Sequence, residues 1–227
     1  MVRLDTGMSQ RNQRQPCRSS YERRRLLRTK SRILSPAVFP DRNGVLAEDK
    51  HHLCDPNGVS LFPGSKELVK ASHANNWAIA VITDQSGIAR GYFGWPHYER
   101  VTDRLLTLLR ASAPLAGIYA NRHRPEAPAG SWLKPSPSML LLAGRGLKLD
   151  LKKSLLVGDR LSDLGAWSCA GVKRLIHVLT GHGQSERAQI KAWTEQDQEG
   201  CGQSPKSELY YLDALTRFPI SLLRHSP

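Results

Sequence analysis

Short apolar runs that stop abruptly at a polar residue recur along this chain, with stretches of helical spacing between them. Ala37–Pro40 runs into Asp41, Trp77–Ile82 into Thr83, and Lys153–Val157 into Gly158 and Asp159. A parallel strand reads this way because helices cover both faces of its sheet. Strands alternating with helices imply an α/β fold built on a doubly wound parallel sheet. In such sheets ligands bind at the carboxyl ends of the strands. The chain therefore delivers Asp41, Thr83 and Asp159 to one rim.

The other expected strands are Leu115–Ala120, Lys173–Val178 and Leu209–Leu212. Helices are expected from Ser65 to Asn76, from Pro96 to Ala111, after Ser136 with Pro137 at the first position, and from Leu161 to Gly171. Residues 184–207 read as polar and irregular, with a short helix near Glu186–Trp193, and residues 208–227 as a closing strand and helix. Residues 36–183 are then the domain core.

Composition narrows the function classes. A chain of 227 residues, 40% hydrophobic, suits one globular domain with tails, and a monomer is expected. No run approaches the length of a membrane span, and no apolar core follows the basic N-terminus as in a secretory signal. Cys17, Cys54, Cys169 and Cys201 lie far apart, so reduced thiols and a cytoplasmic setting are expected. Most of the net charge of +13 sits in residues 1–35, where ten arginines and lysines face Asp5 and Glu22. That segment reads as a disordered basic arm. Without interleaved aromatics it can meet nucleic acid only non-specifically.

The rim residues suggest chemistry. Two carboxylates, Asp41 and Asp159, beside a phosphate-sized gap suit magnesium, which prefers a few hard oxygen ligands. The Thr83 hydroxyl can donate to a phosphoryl oxygen, the turn at Ser86 and Gly87 can offer N–H groups, and Lys134 can supply positive charge. An aspartate so placed can attack phosphorus. Asp163, in a first helical turn, is either a further ligand or a partner for the helix dipole.

Four stretches then resemble the motifs of the haloacid dehalogenase (HAD) superfamily of phosphatases. They are Phe39-Pro40-Asp41-Arg42-Asn43-Gly44-Val45, Val81–Phe93, Lys134–Met139 and Val157–Asp163. Within the superfamily they are similar to the branch of D-glycero-D-manno-heptose 1,7-bisphosphate and histidinol-phosphate phosphatases. The resemblance implies a capless, Rossmann-like three-layer sandwich and a magnesium-dependent hydrolase acting on a small phosphorylated sugar. It implies Asp41 as nucleophile, with Asp41, Asp159 and the Asn43 carbonyl as magnesium ligands. It places Thr83 and Lys134 on the phosphoryl group, and Arg42, Asp49, Lys50, His51, His52, Asp84, Gln85, Ser86 and Arg160 around the substrate.

The chain departs from that pattern in several places. Asn43 stands where the family has the aspartate that exchanges the proton, so slow turnover is expected, with a catalytically impaired sugar-phosphate binder as the alternative and histidinol phosphate as another substrate. Leu133 replaces an arginine, Asp84 an asparagine and Pro40 a leucine. The zinc positions of relatives fall on Asn121, His123, Gly130 and Trp132, so no zinc is expected.

Overall fold

The computed structural model describes residues 21–26, 34–50, 53–124, 126, 131–195 and 208–224. The strands are β1 (Tyr21–Arg25), β2 (Ala37–Pro40), β3 (Ala78–Asp84), β4 (Gly117–Asn121), β5 (Leu155–Gly158), β6 (Arg174–Val178) and β7 (Glu208–Leu212). They form one sheet in the order β1-β4-β3-β2-β5-β6-β7. All neighbours are parallel except β1, which runs antiparallel to β4.

Strand alternation builds the core in two halves. Val38, Ile79, Val81, Leu155 and Val157 face α1 (Ser65–Ala74) and α3 (Trp95–Arg110), meeting Leu68, Leu105 and Leu109. Phe39, Ala80, Ile82 and Leu156 face the opposite layer. There α4 (Ser138–Leu147), α5 (Leu161–Cys169) and α6 (Gly183–Glu195) supply Leu140, Leu147, Leu164, Trp167 and Ile190. Phe39 and Trp167 lie with ring centroids 4.8 Å apart. This is the expected doubly wound sandwich. Among the described residues no helix is long and apolar enough to cross a membrane.

Pro40 occupies a central strand, where proline normally costs a ladder bond. Here β2 pairs with β3 only at Ala37 and Val38, while on the other side the Asp41 N–H reaches the Val157 carbonyl at 3.0 Å. The side of Pro40 that lacks an N–H therefore faces β3, beyond the last β2–β3 ladder pair. The ladder ends one residue early, and the chain is freed to turn at Asp41.

Three expectations need correction. The basic arm is not wholly outside the domain, because residues 21–25 form the edge strand β1, with Arg24 paired to Asp103 of α3. Residues 183–195 form a regular helix, which takes in the short helix expected near Glu186–Trp193 and extends it at both ends. The closing helix is instead two short 3-10 turns, Leu215–Arg217 and Ile220–Leu223. Cys169 is disulfide-bonded, and its partner lies outside the described residues, so reduced thiols do not describe this cysteine.

Candidate active site

The carboxyl ends of β2, β3 and β5 bring Asp41, Thr83 and Asp159 to one rim, as their positions after apolar runs imply. All three are at most 9% exposed. Lys134 enters from the segment before α4. Its Nζ lies 3.2 Å from Asp41 Oδ1 and 2.5 Å from Asp163 Oδ1. Asp163 is 1% exposed, and its second oxygen accepts the Arg160 N–H at 3.1 Å. It caps α5 and also neutralises the site lysine, so both sequence readings of its position touch its place but neither names its partner.

Oxygens of Asp41, Asp159 and Asp163 can be chosen that all lie within 4.8 Å of one another. Burial pushes the Asp41 carboxyl up to about 6, against the pull of Lys134. Burial, followed by the charges of Asp163 and Asp41, pushes Asp159 up to about 8. For Lys134, burial acts to lower the pKa but is outweighed by Asp163, Asp41 and Asp84, and the net shift is upward. One ammonium thus faces several carboxylates. Asp41 Oδ1 and Asp159 Oδ1 are buried without a hydrogen bond, and the Asn43 carbonyl accepts none among the described residues. These three oxygens fit a small divalent cation: they are hard donors amid excess negative charge, and a bound cation would take the place of the proton that burial favours on Asp159.

The backbone closes tightly around Asp159. Its Oδ2 accepts the His182 N–H at 2.8 Å. Gly44 (φ 84°) and Gly181 (φ 59°) press against the same carboxylate, and a Cβ on either would stand 2.2 or 2.3 Å from Oδ2. Behind the strand end, the Asp159 carbonyl meets Nε2 of the buried His177 at 3.2 Å. His177 Nδ1 accepts from Arg187 Nε at 2.8 Å, which leaves the ring proton on Nε2, aimed at that carbonyl. Burial and Arg187 hold His177 down to about 4.

These shifts set a pH dependence. An acid whose folded pKa lies above its unfolded value, 3.8 for Asp159, binds more protons when folded. Stability is therefore lost as pH rises through the window up to about 8. His177 opposes the trend only weakly in this range, since its unfolded imidazole is half neutral at pH ~6.5 and almost fully neutral one unit higher. In chelator, urea unfolding is expected to show a loss on the order of 1 kcal/mol between pH ~6.5 and ~8.5. Magnesium is expected to restore more stability at the higher pH. Equal stability at both values would mean that Asp159 is not held protonated.

A polar cavity of about 340 Å³ opens over Asp41. Asn43, Asp49, Ser86, Lys134 and Arg160 line it as expected, together with Arg90, Ser162 and His182, which the sequence reading did not single out. His182 Nε2 lies 3.3 Å from Asp49 Oδ2 across the mouth. Lys50 pairs instead with Glu48 at 3.5 Å and does not line the cavity. Asp84 touches the cavity but spends its oxygens on Asn121 Nδ2 and the Lys134 N–H. His51 and His52 lie outside the described residues. Of the positions aligned with relatives' zinc ligands, Asn121 bonds the Trp132 carbonyl at 3.1 Å, and Gly130 is not described.

Arg42 differs most from its expected role. It is 3% exposed, and its guanidinium points inward. It donates to Gln85 Oε1 at 2.7 Å, Thr102 Oγ1 at 3.4 Å and Asn43 Oδ1 at 3.0 Å, and it lies 5.1 Å from the centre of the Tyr98 ring. Gln85 Nε2 in turn donates to Thr83 Oγ1 at 3.0 Å.

Comparisons with known proteins agree with this geometry. Residues 132–198 match the HAD-hydrolase-like family model. The chain is 38% identical over 144 residues to the D-glycero-beta-D-manno-heptose-1,7-bisphosphate 7-phosphatase of Mesorhizobium japonicum, covering 60% of this chain and 66% of that protein. It is 36% identical over 143 residues to the D-glycero-alpha-D-manno-heptose-1,7-bisphosphate 7-phosphatase of Burkholderia mallei, covering 60% of this chain and 76% of that protein. Among solved structures it is similar to the D,D-heptose 1,7-bisphosphate phosphatase of B. bronchiseptica complexed with magnesium and phosphate. The TM-score there is 0.66 at 27% identity, covering 79% of this chain and 93% of that one.

Proposed function

We propose that this chain, which belongs to the HAD-like phosphatases, hydrolyses a phosphate ester of a small sugar through Asp41, with heptose 1,7-bisphosphate as the first substrate to test. The observation that carries the reading is the Asp41 carboxylate itself. It is buried at a strand end, 3.2 Å from Lys134, on the floor of an open polar cavity.

A carboxylate oxygen of Asp41 forms a bond to phosphorus while the bond from phosphorus to the sugar oxygen breaks. In this reading Lys134 Nζ and the Thr83 hydroxyl hold the phosphoryl oxygens, and Asp163, 2.5 Å from Nζ, keeps the lysine in place. The departing sugar oxygen needs a proton. The Asn43 amide has none to trade, so water entering the uncapped cavity supplies it. A second water then attacks the aspartyl-phosphate, releasing inorganic phosphate and restoring Asp41. Magnesium, held by Asp41, Asp159 and the Asn43 carbonyl, would offset the repulsion between the anionic nucleophile and the phosphoryl group.

One residue favours the second reading, a sugar-phosphate binder with little turnover. Asn43 keeps a carbonyl for the metal but removes acid–base catalysis worth ~10²–10⁴-fold. The test is magnesium-dependent phosphate release from heptose 1,7-bisphosphate by the wild type and by Asn43→Asp. Slow release that rises at least ~10²-fold in the variant is the expected result. Fast wild-type release with no gain would mean that another group carries the proton. Silence from both would remove this substrate.

A further inference from the structure

The phosphatase reading leaves a buried cation without a task. Arg42 is a nearly buried guanidinium at the cavity wall, and no carboxylate forms an ion pair with it among the described residues. Its acceptors are all neutral: an amide oxygen of Gln85, a hydroxyl of Thr102 and an amide oxygen of Asn43. Burying a charge is costly unless it is well partnered, so its direction of donation has consequences.

A guanidinium can only donate. The Gln85 side chain must therefore turn its oxygen towards Arg42, at 2.7 Å, and its NH₂ group towards Thr83. That NH₂ donates to Thr83 Oγ1 at 3.0 Å. A hydroxyl that accepts on this side keeps its own hydrogen for another partner. The same reasoning applies to Asn43. Its oxygen faces Arg42 Nε at 3.0 Å, which leaves Nδ2 as the polar end of the side chain at the cavity.

We infer that Arg42 sets the hydrogen-bond polarity of the active site, acting through Gln85 on Thr83 and directly on Asn43, so that these two side chains, beside Lys134, offer donors to a phosphoryl group bound over Asp41. Arg42 and Gln85, which also line the cavity, then act as positioning residues through Thr83 and Asn43. The residues that meet the anion are Thr83 through O–H, Asn43 through Nδ2 and Lys134 through Nζ. A phosphoryl group carries only acceptor oxygens, so donors from these three side chains suit it, while the Asp41 lone pair is directed at phosphorus. The inference rests on the phosphatase reading above and adds a chain of command from the buried side of the sheet.

The sharpest test changes one atom. Glu at position 85 has nearly the shape of Gln, but both of its oxygens accept. It would still take the Arg42 bond, and it would then also take the Thr83 hydrogen. Orthophosphate binding measured by calorimetry in the presence of magnesium is expected to weaken roughly 10- to 100-fold in Gln85→Glu, the loss of one hydrogen bond to a charged group. The melting temperature should stay level or rise, because Arg42 gains an ion pair. In Gln85→Met the Thr83 hydroxyl is free to rotate, so the loss should be only a few-fold. The expected order of phosphate affinity is therefore Gln, then Met, then Glu. A purely structural role for residue 85 would instead place the near-isosteric Glu next to Gln, with Met below both.

Added negative charge alone could also repel phosphate. Repeating Gln85→Glu in a Thr83→Val background separates the two causes. The penalty should shrink to within about twofold once no hydroxyl is left to reverse. An undiminished penalty in that background, or wild-type affinity in Gln85→Glu, would overturn the polarity chain while leaving the phosphatase reading intact. No orthophosphate binding by the wild type would overturn both.

Discussion

Asp41→Asn is expected to remove magnesium-dependent phosphate release, by roughly 10⁴-fold or more, while making the metal-free protein more stable. The first half follows from the loss of the proposed nucleophile. The amide is close to isosteric, keeps the backbone bond to Val157 and leaves Lys134 with its 2.5 Å partner Asp163. The second half follows from the charge balance. Asp41 raises the pKa of Asp159, and burial penalises its own charge before any neighbour acts. Removing it relieves both effects. A phosphate-release assay beside a thermal melt in chelator reads the two halves together. Lost activity with lost stability would mean that Asp41 supports the fold rather than the chemistry. Retained activity would place the nucleophile elsewhere.

Lys134→Met should produce the largest loss of stability of any single change at the site. Lys134 is 7% exposed and is the only side-chain cation within 4 Å of Asp41 and Asp163 among the described residues. Removing one member of a buried ion pair strands the other, at a cost of about 3–5 kcal/mol. Here two carboxylates are stranded at once, and Asp84 loses the charge that opposes its own burial. The stranded acids can escape by taking up protons, so the deficit should be smaller at pH ~5 than at pH ~8. Urea midpoints at the two pH values check this. Magnesium should recover part of the loss but not the affinity for phosphate, because the metal can replace the charge but not the donor aimed at the anion. A variant as stable as the wild type at both pH values would mean that the carboxylates are already protonated in the native state.

How far the site could be read from sequence depends on the kind of information each residue carries. Asp41, Thr83 and Asp159 were legible because an apolar run ending in a polar side chain has one natural home in a parallel sheet, and the sheet then brings them together. Lys134 was legible only as a matched motif. Arg42 and Gln85 were legible as chemistry but not as direction. A guanidinium next to a nucleophile looks like a phosphate ligand, and only the Tyr98 ring and Thr102 on α3 show that it is turned inward. His182 and Asp49 face each other across 133 positions of sequence, and no local pattern reports that. β1 escaped for a different reason. Tyr-Glu-Arg-Arg-Arg has no apolar alternation, and its place comes from backbone pairing to β4 and from Arg24 reaching Asp103.

The two glycines that press on Asp159 also bear on how this cavity can change its taste. Positions 44 and 181 admit almost no alternative letters, since even a methyl group would land on the carboxylate. Asp49, Leu53, Arg90 and Arg160 stand at the same opening without that constraint. New substrate preferences, whether reached by drift or by a designed library, therefore have to come from the loops after β2 and β3 and from the start of α5. The rim nearest the metal ligands is in effect written in permanent ink.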